Sequence, residues 1–245
     1  MIHSWKLEAV ARLLLGLITT YCFGMLLASL VEHFAAGSVQ ARNDFWQILA
    51  AMLFLQIPAL LWISFFLRQH NVGWAEAFGL KSSKPAPAVV RGLLAGALFL
   101  PAAWALGWIS QNAMESVGLR PEEQAAVQVL QDPSLNMAAK IVLGVVAIFL
   151  APMVEEPLFR GILYPAIKQK GYPRLALWGS SALFAALHFN AQTFVPLLFF
   201  ALVLVYLYES SQNLLAPMAA HALFNAANFF FLLFGDQITQ RWRLT

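Results

Sequence analysis

Residues 175–208 read LALWGSSALFAALHFNAQTFVPLLFFALVLVYLY, 34 residues without an Asp, Glu, Lys or Arg. As one α-helix this run would be ~51 Å long, against ~30 Å for the hydrocarbon core of a bilayer. His188, Asn190 and Gln192 interrupt it, so the reading predicts two helices, 175–189 and 193–208. Upstream, Ile141–Val154 is apolar for only 14 residues. The pattern resumes beyond Glu155, Glu156 and Arg160 with 161–167, which predicts one long helix with charges inside it. Further runs at 13–31, 45–67, 92–114 and 210–235 are each long enough for a span of about 20 residues. The expectation is an all-α, polytopic transmembrane helical bundle of seven spans. An eighth arises if 114–140 holds a re-entrant or short segment. No repeat or linker divides the chain, so it reads as a single domain, 1–245.

Composition agrees. Of 245 residues, 60% are hydrophobic and 11% charged, against roughly 25% charged in soluble domains. With a mean hydropathy of +0.69, soluble, disordered, collagen-like and coiled-coil classes are excluded. The net charge of +3 comes from basic residues scattered singly between apolar runs, so nucleic-acid binding is not expected. Cys22, the one cysteine, excludes an intrachain disulfide and a cysteine-based metal site.

Lys6 and Arg12 precede the first run as in a signal sequence. Its 19 apolar residues exceed a typical signal core, however, and no clear cleavage site follows, so it is read as a retained span. With seven spans and the N-terminus inside, 10 of the 15 Lys and Arg fall on inner segments, or 9 if Arg160 lies within the membrane. That bias predicts a cytosolic N-terminus, in the plasma membrane of a bacterium or the endoplasmic reticulum of a eukaryote. Two connectors read as interfacial helices. In Trp74–Leu80, Trp74 and Phe78 lie four apart. A second stretch opens at Pro121, Glu122 and Glu123, with Val127 and Leu130 as its apolar positions, and ends at Asp132-Pro133.

An ionised side chain at the bilayer centre costs at least ~2.5–3.5 kcal/mol, so two adjacent glutamates in a span demand a reason. Neighbours on a helix point ~100° apart, and Arg160 is four residues after Glu156. The spacing predicts a Glu156–Arg160 ion pair and leaves Glu155 without a partner on its own helix, as suits a general base. His188 and His221 are the histidines inside predicted spans. His221 shares a face with Asn225, four residues on, and Phe184 lies one turn before His188. No hydroxyl or thiol nucleophile stands out. Carboxylate, two imidazoles and a carboxamide can activate a water and stabilise the oxyanion formed when it attacks a carbonyl. Glu155, His188 and His221 could also form a two-His, one-carboxylate zinc site, although no H-E-x-x-H is present. A proton-coupled transporter using Glu155 and Glu156 is a third possibility, and a non-catalytic immunity or scaffold protein of the same fold a fourth.

Three motifs stand in order: Glu155-Glu156-Pro-Leu-Phe-Arg160, Phe184-Ala-Ala-Leu-His188 and His221-Ala-Leu-Phe-Asn225. Over about 141–234 the chain resembles the CAAX protease and bacteriocin-processing family. These intramembrane glutamic proteases include the type II CAAX prenyl endopeptidases and self-immunity proteins. The resemblance implies about eight spans and a site facing the cytosol. It further implies that Glu155 with His188 activates water, that His221 and Asn225 stabilise the oxyanion, and that Glu156, Arg160 and Phe184 support them. It implies a metal-free mechanism without cofactor, acting on a peptide or protein substrate at the membrane, with or without a lipid on it.

Overall fold

The computed structural model describes residues 4–35, 44–81, 85–120 and 124–243, with side chains over 4–30, 45–81, 85–120 and 124–235. It is helical throughout, without strands among the described residues. The elements are α1 (Leu7–Ala35), α2 (Asp44–Gln69), α3 (Trp74–Ala77), α4 (Pro85–Ser116) and α5 (Ala125–Gln131). They continue as α6 (Met137–Lys168), α7 (Pro173–Ala186), α8 (Ala191–Ser211) and α9 (Leu215–Arg243). Six of these, α1, α2, α4, α6, α8 and α9, are long and apolar enough to cross a membrane. The chain is an integral membrane protein. The remaining expected span is α7, whose 14 residues cover only ~21 Å. The break falls where polar side chains allow it: α7 ends at Ala186, and Asn190 caps α8 by accepting a hydrogen bond from the Thr193 backbone N–H at 2.9 Å.

In a bilayer the hydrophobic effect does not drive helices together, so close packing of small residues must. The α4–α9 contact is built this way. Gly92 and Gly96 lie one turn apart on α4 against Ala216 and Ala220 of α9. A Cβ on Gly92 would collide with the Ala216 carbonyl oxygen, and one on Gly96 would lie 3.0 Å from that of Ala220. Side chains at these positions would drive α9, which carries two of the motif residues, away from α4.

The connectors partly depart from expectation. Trp74 and Phe78 do share a face, rings 5.3 Å apart. Phe78, however, is buried in the core rather than resting in the interface, because Gly161 of α6 leaves room for its ring. The opening expected at Pro121–Glu123 lies outside the described residues. Its helix, α5, buries Val129 and Leu130 against Leu143 of α6 and Phe45 of α2, while Val127 is half-buried. Asp132 ends it by accepting from the Ser134 N–H at 2.8 Å, which holds its carboxyl below the usual range.

α6 is not a uniform helix. Val146–Leu150 and Pro157–Leu163 are π-helical turns. In the first, the Ala151 N–H reaches back five residues to the Val146 carbonyl, and Pro152 has no N–H to give. The Ala147 carbonyl thereby loses both its possible donors on the helix. Near the second, Pro165 removes the donor that Gly161 would receive four residues on. Buried carbonyls need partners. Asn225 of α9 donates to the Ala147 oxygen at 2.8 Å, and the Trp5 indole donates to the Gly161 oxygen at 2.8 Å. Two polar side chains from distant segments thus tie down the helix at the turns that proline and π geometry leave open.

Candidate active site

Between the two π turns, Ala151–Glu156 is α-helical and presents both glutamates toward α9. Glu156 is fully buried. Its Oε1 accepts from Arg160 Nη1 at 3.1 Å, as the four-residue spacing predicts, and it also meets His221 Nδ1 at 2.7 Å. Arg160, itself buried, donates a second hydrogen bond from Nη2 to the Ala201 carbonyl of α8 at 3.3 Å. Its guanidinium lies over the Phe184 ring, 4.4 Å from the centroid. Lysine could not replace it: a single ammonium has neither the fork to bridge α6 and α8 nor the flat face to stack.

His221 is 3% exposed and joins the two carboxylates. Its Nε2 lies 3.8 Å from Glu155 Oε2, an oxygen that is buried without a hydrogen-bond partner. The rings of Phe184 and Phe200 pack edge-on against the imidazole at 5.7 and 5.8 Å. Phe200 in turn stacks on Phe224 at 4.2 Å. Aromatic walls around an ion-paired cluster exclude water and strengthen each electrostatic contact within it.

The remaining motif residues are less tightly drawn in. Phe184 is buried, with its ring centroid 4.9 Å from that of His188, as the one-turn spacing predicts. His188 is half-buried just past the end of α7, and its Nδ1 bonds the Phe184 carbonyl at 2.8 Å. The described hydrogen bonds do not join it to Glu155. Asn225 lies one turn from His221 but spends an amide hydrogen on Ala147, a bond that the π turn creates. Among the described residues no group of three or more His, Cys, Asp and Glu side chains is placed to hold a metal ion.

Sequence reasoning misses three contributors. Phe200 and Ala201, whose backbone carbonyl receives Arg160, lie in an apolar run and carry no signal. Glu209 does carry one, since it is the charge that separates two apolar runs. In the structure it bonds the Tyr164 hydroxyl at 2.6 Å and pairs with Lys168, fastening the C-terminal end of α6 to α8.

Two helices, α6 and α9, thus bring Glu155, Glu156 and His221 together within a membrane bundle. Residues 137–227 match the model of the family described as type II CAAX prenyl endopeptidase Rce1-like. Searches of curated proteins and of solved structures found no match. The family is one of endopeptidases, and together with the six apolar helices it points to an endopeptidase working in a membrane.

Proposed function

We propose that this protein is a glutamic-type intramembrane endopeptidase whose catalytic residues are Glu155, His188, His221 and Asn225. The observation that carries the reading is the meeting of Glu155, Glu156 and His221 within 3.8 Å, from helices 65 residues apart in sequence. In this reading a water bound between Glu155 and His188 attacks the scissile carbonyl, and Glu155 takes its proton. His221 and Asn225 face the oxygen on which charge develops, and the proton passes to the leaving amine as the tetrahedral intermediate collapses. Glu156 and Arg160 form an internally neutralised pair that holds the site together, and Phe184 walls it off.

The substrate is a peptide or protein presented at the membrane, and the name of the matched family suggests a prenylated C-terminus as the first to try. The excess of Lys and Arg on alternate connectors supports an N-terminus in the cytosol. No metal or other cofactor takes part. The test is cleavage of a quenched fluorescent farnesyl-CAAX peptide, beside its unfarnesylated twin, by purified full-length protein. Glu155→Ala and His221→Ala should each lower kcat by about 100-fold or more, and undiminished turnover in either would overturn the reading. Treatment with 1,10-phenanthroline should leave the rate unchanged, and a loss that added zinc restores would favour a metal centre on the same residues.

A further inference from the structure

Resting on that reading, we infer that Glu156 is a positioning residue that holds His221 in its Nδ1–H tautomer and turns the Nε2 lone pair toward Glu155.

The argument begins with Glu156 Oε1, which accepts from the Arg160 guanidinium at 3.1 Å. An oxygen that already accepts from a guanidinium is an acceptor, so the 2.7 Å contact to His221 Nδ1 puts the hydrogen on Nδ1. A neutral imidazole has one N–H. In that neutral ring Nε2 is a lone pair, and it faces the unpartnered Oε2 of Glu155 across 3.8 Å, a gap between two acceptors that the two O–H groups of the attacking water would bridge. The edges of Phe184 and Phe200 fix the ring plane, and neither offers Nε2 a competing polar partner.

This arrangement gives His221 a role that changes during the reaction. A ring without a hydrogen on Nε2 cannot donate to an oxyanion. It becomes a donor once a proton arrives there, and the proton released by the attacking water is the one available. As the water O–H bond breaks and the C–O bond forms, Glu155 Oε2 takes that proton and passes it to His221 Nε2. On Nε2 it makes an imidazolium whose N–H faces the reacting centre while the charge of Glu156 balances it from Nδ1. When the C–N bond breaks, the proton goes to the departing amine nitrogen, and His221 returns to the neutral Nδ1–H form. The donor is thus switched on by the step that generates the negative charge it serves. Glu156 touches no reacting atom. It acts through the imidazole, as a buried carboxylate does wherever it sets the tautomer of a working histidine.

The test uses full-length protein in nanodiscs labelled with ¹⁵N-histidine, with the His221 signals assigned by their loss in His221→Gln. At neutral pH His221 should show a protonated Nδ1 and an unprotonated Nε2. The Nε2–H tautomer in the wild-type protein would overturn the proposal, and this measurement needs no substrate. Glu156→Ala should convert His221 to the Nε2–H form and lower kcat about 100-fold or more with KM within about twofold, and Glu156→Asp should recover at least about tenfold of that loss. A folded Glu156→Ala with kcat within about threefold of wild type would also overturn it. Glu155→Ala is assayed alongside. If that variant turns over like wild type, the protease reading fails, while the tautomer spectrum still decides the role of Glu156.

Discussion

α1 and α6 are apolar helices of similar length, 29 and 32 residues, with opposite relations to their surroundings. In the most apolar window of α1 only 6% of residues are buried, against 33% in α6. Leu15, Ile18, Phe23 and Leu26 of α1 are exposed, as side chains facing lipid would be, and that helix needs only to be hydrophobic. α6 carries two glutamates, an arginine, three prolines and two π turns, each of which would be costly in lipid. Most of these find partners in other segments: Glu156 meets His221, Arg160 the Ala201 carbonyl, the opened Ala147 and Gly161 carbonyls meet Asn225 and Trp5, and the end of the helix is tied to Glu209. A span can afford polar chemistry when its neighbours are already specified to receive it, and in this protein the receiving side chains lie in α8, α9 and the residue stretch before α1.

The sharpest way to break that contrast is Arg160→Ala. It strands Glu156 in a buried site and frees the Ala201 carbonyl, so the folded protein should lose about 3–5 kcal/mol, measured by denaturant unfolding in micelles. Next come the ties to the irregular backbone. Trp5→Phe and Asn225→Leu each leave a buried carbonyl without a donor and should cost about 1–3 kcal/mol by the same measurement. As these two sites are separate, their effects should add within about 0.5 kcal/mol, and marked non-additivity would mean that the two π turns move as one unit. At the bottom of the scale, Leu15→Ala on the exposed face of α1 should shift stability by less than about 0.5 kcal/mol. A loss as large as that of Trp5→Phe would show that the α1 face is covered by protein.

What could be read from the sequence was whatever depends on short spacing along one regular helix. Glu156 with Arg160 and Phe184 with His188 are pairs four apart, and both hold in the structure. The apolar runs give the spans because their length is set by the bilayer, and the polar cluster at 188–192 gives the break between α7 and α8. Contacts between segments were out of reach. That His221 would choose Glu156 as its near partner, leaving Glu155 at 3.8 Å, depends on how α9 is rotated against α6. The four-residue spacing of Gly92 and Gly96 is plain, but nothing local names Ala216 and Ala220 as what they receive. Asn225 pairs with His221 by spacing, yet its described bond runs to Ala147, because a π turn orphans that carbonyl in a way that periodicity cannot register.

The π turns carry a consequence for anyone comparing this chain with its relatives. Each holds one residue more than an α turn, so a helical wheel drawn through 137–168 at 3.6 residues per turn slips in phase by about 100° at Val146–Leu150 and again at Pro157–Leu163. The face of Glu155 cannot be extrapolated from Leu143, nor that of Lys168 from Glu156. A homologue one residue shorter across either turn could keep both ends of the helix in the same orientation. Gaps in this span therefore belong inside the π turns, where an insertion changes the local winding and leaves the glutamates where they are.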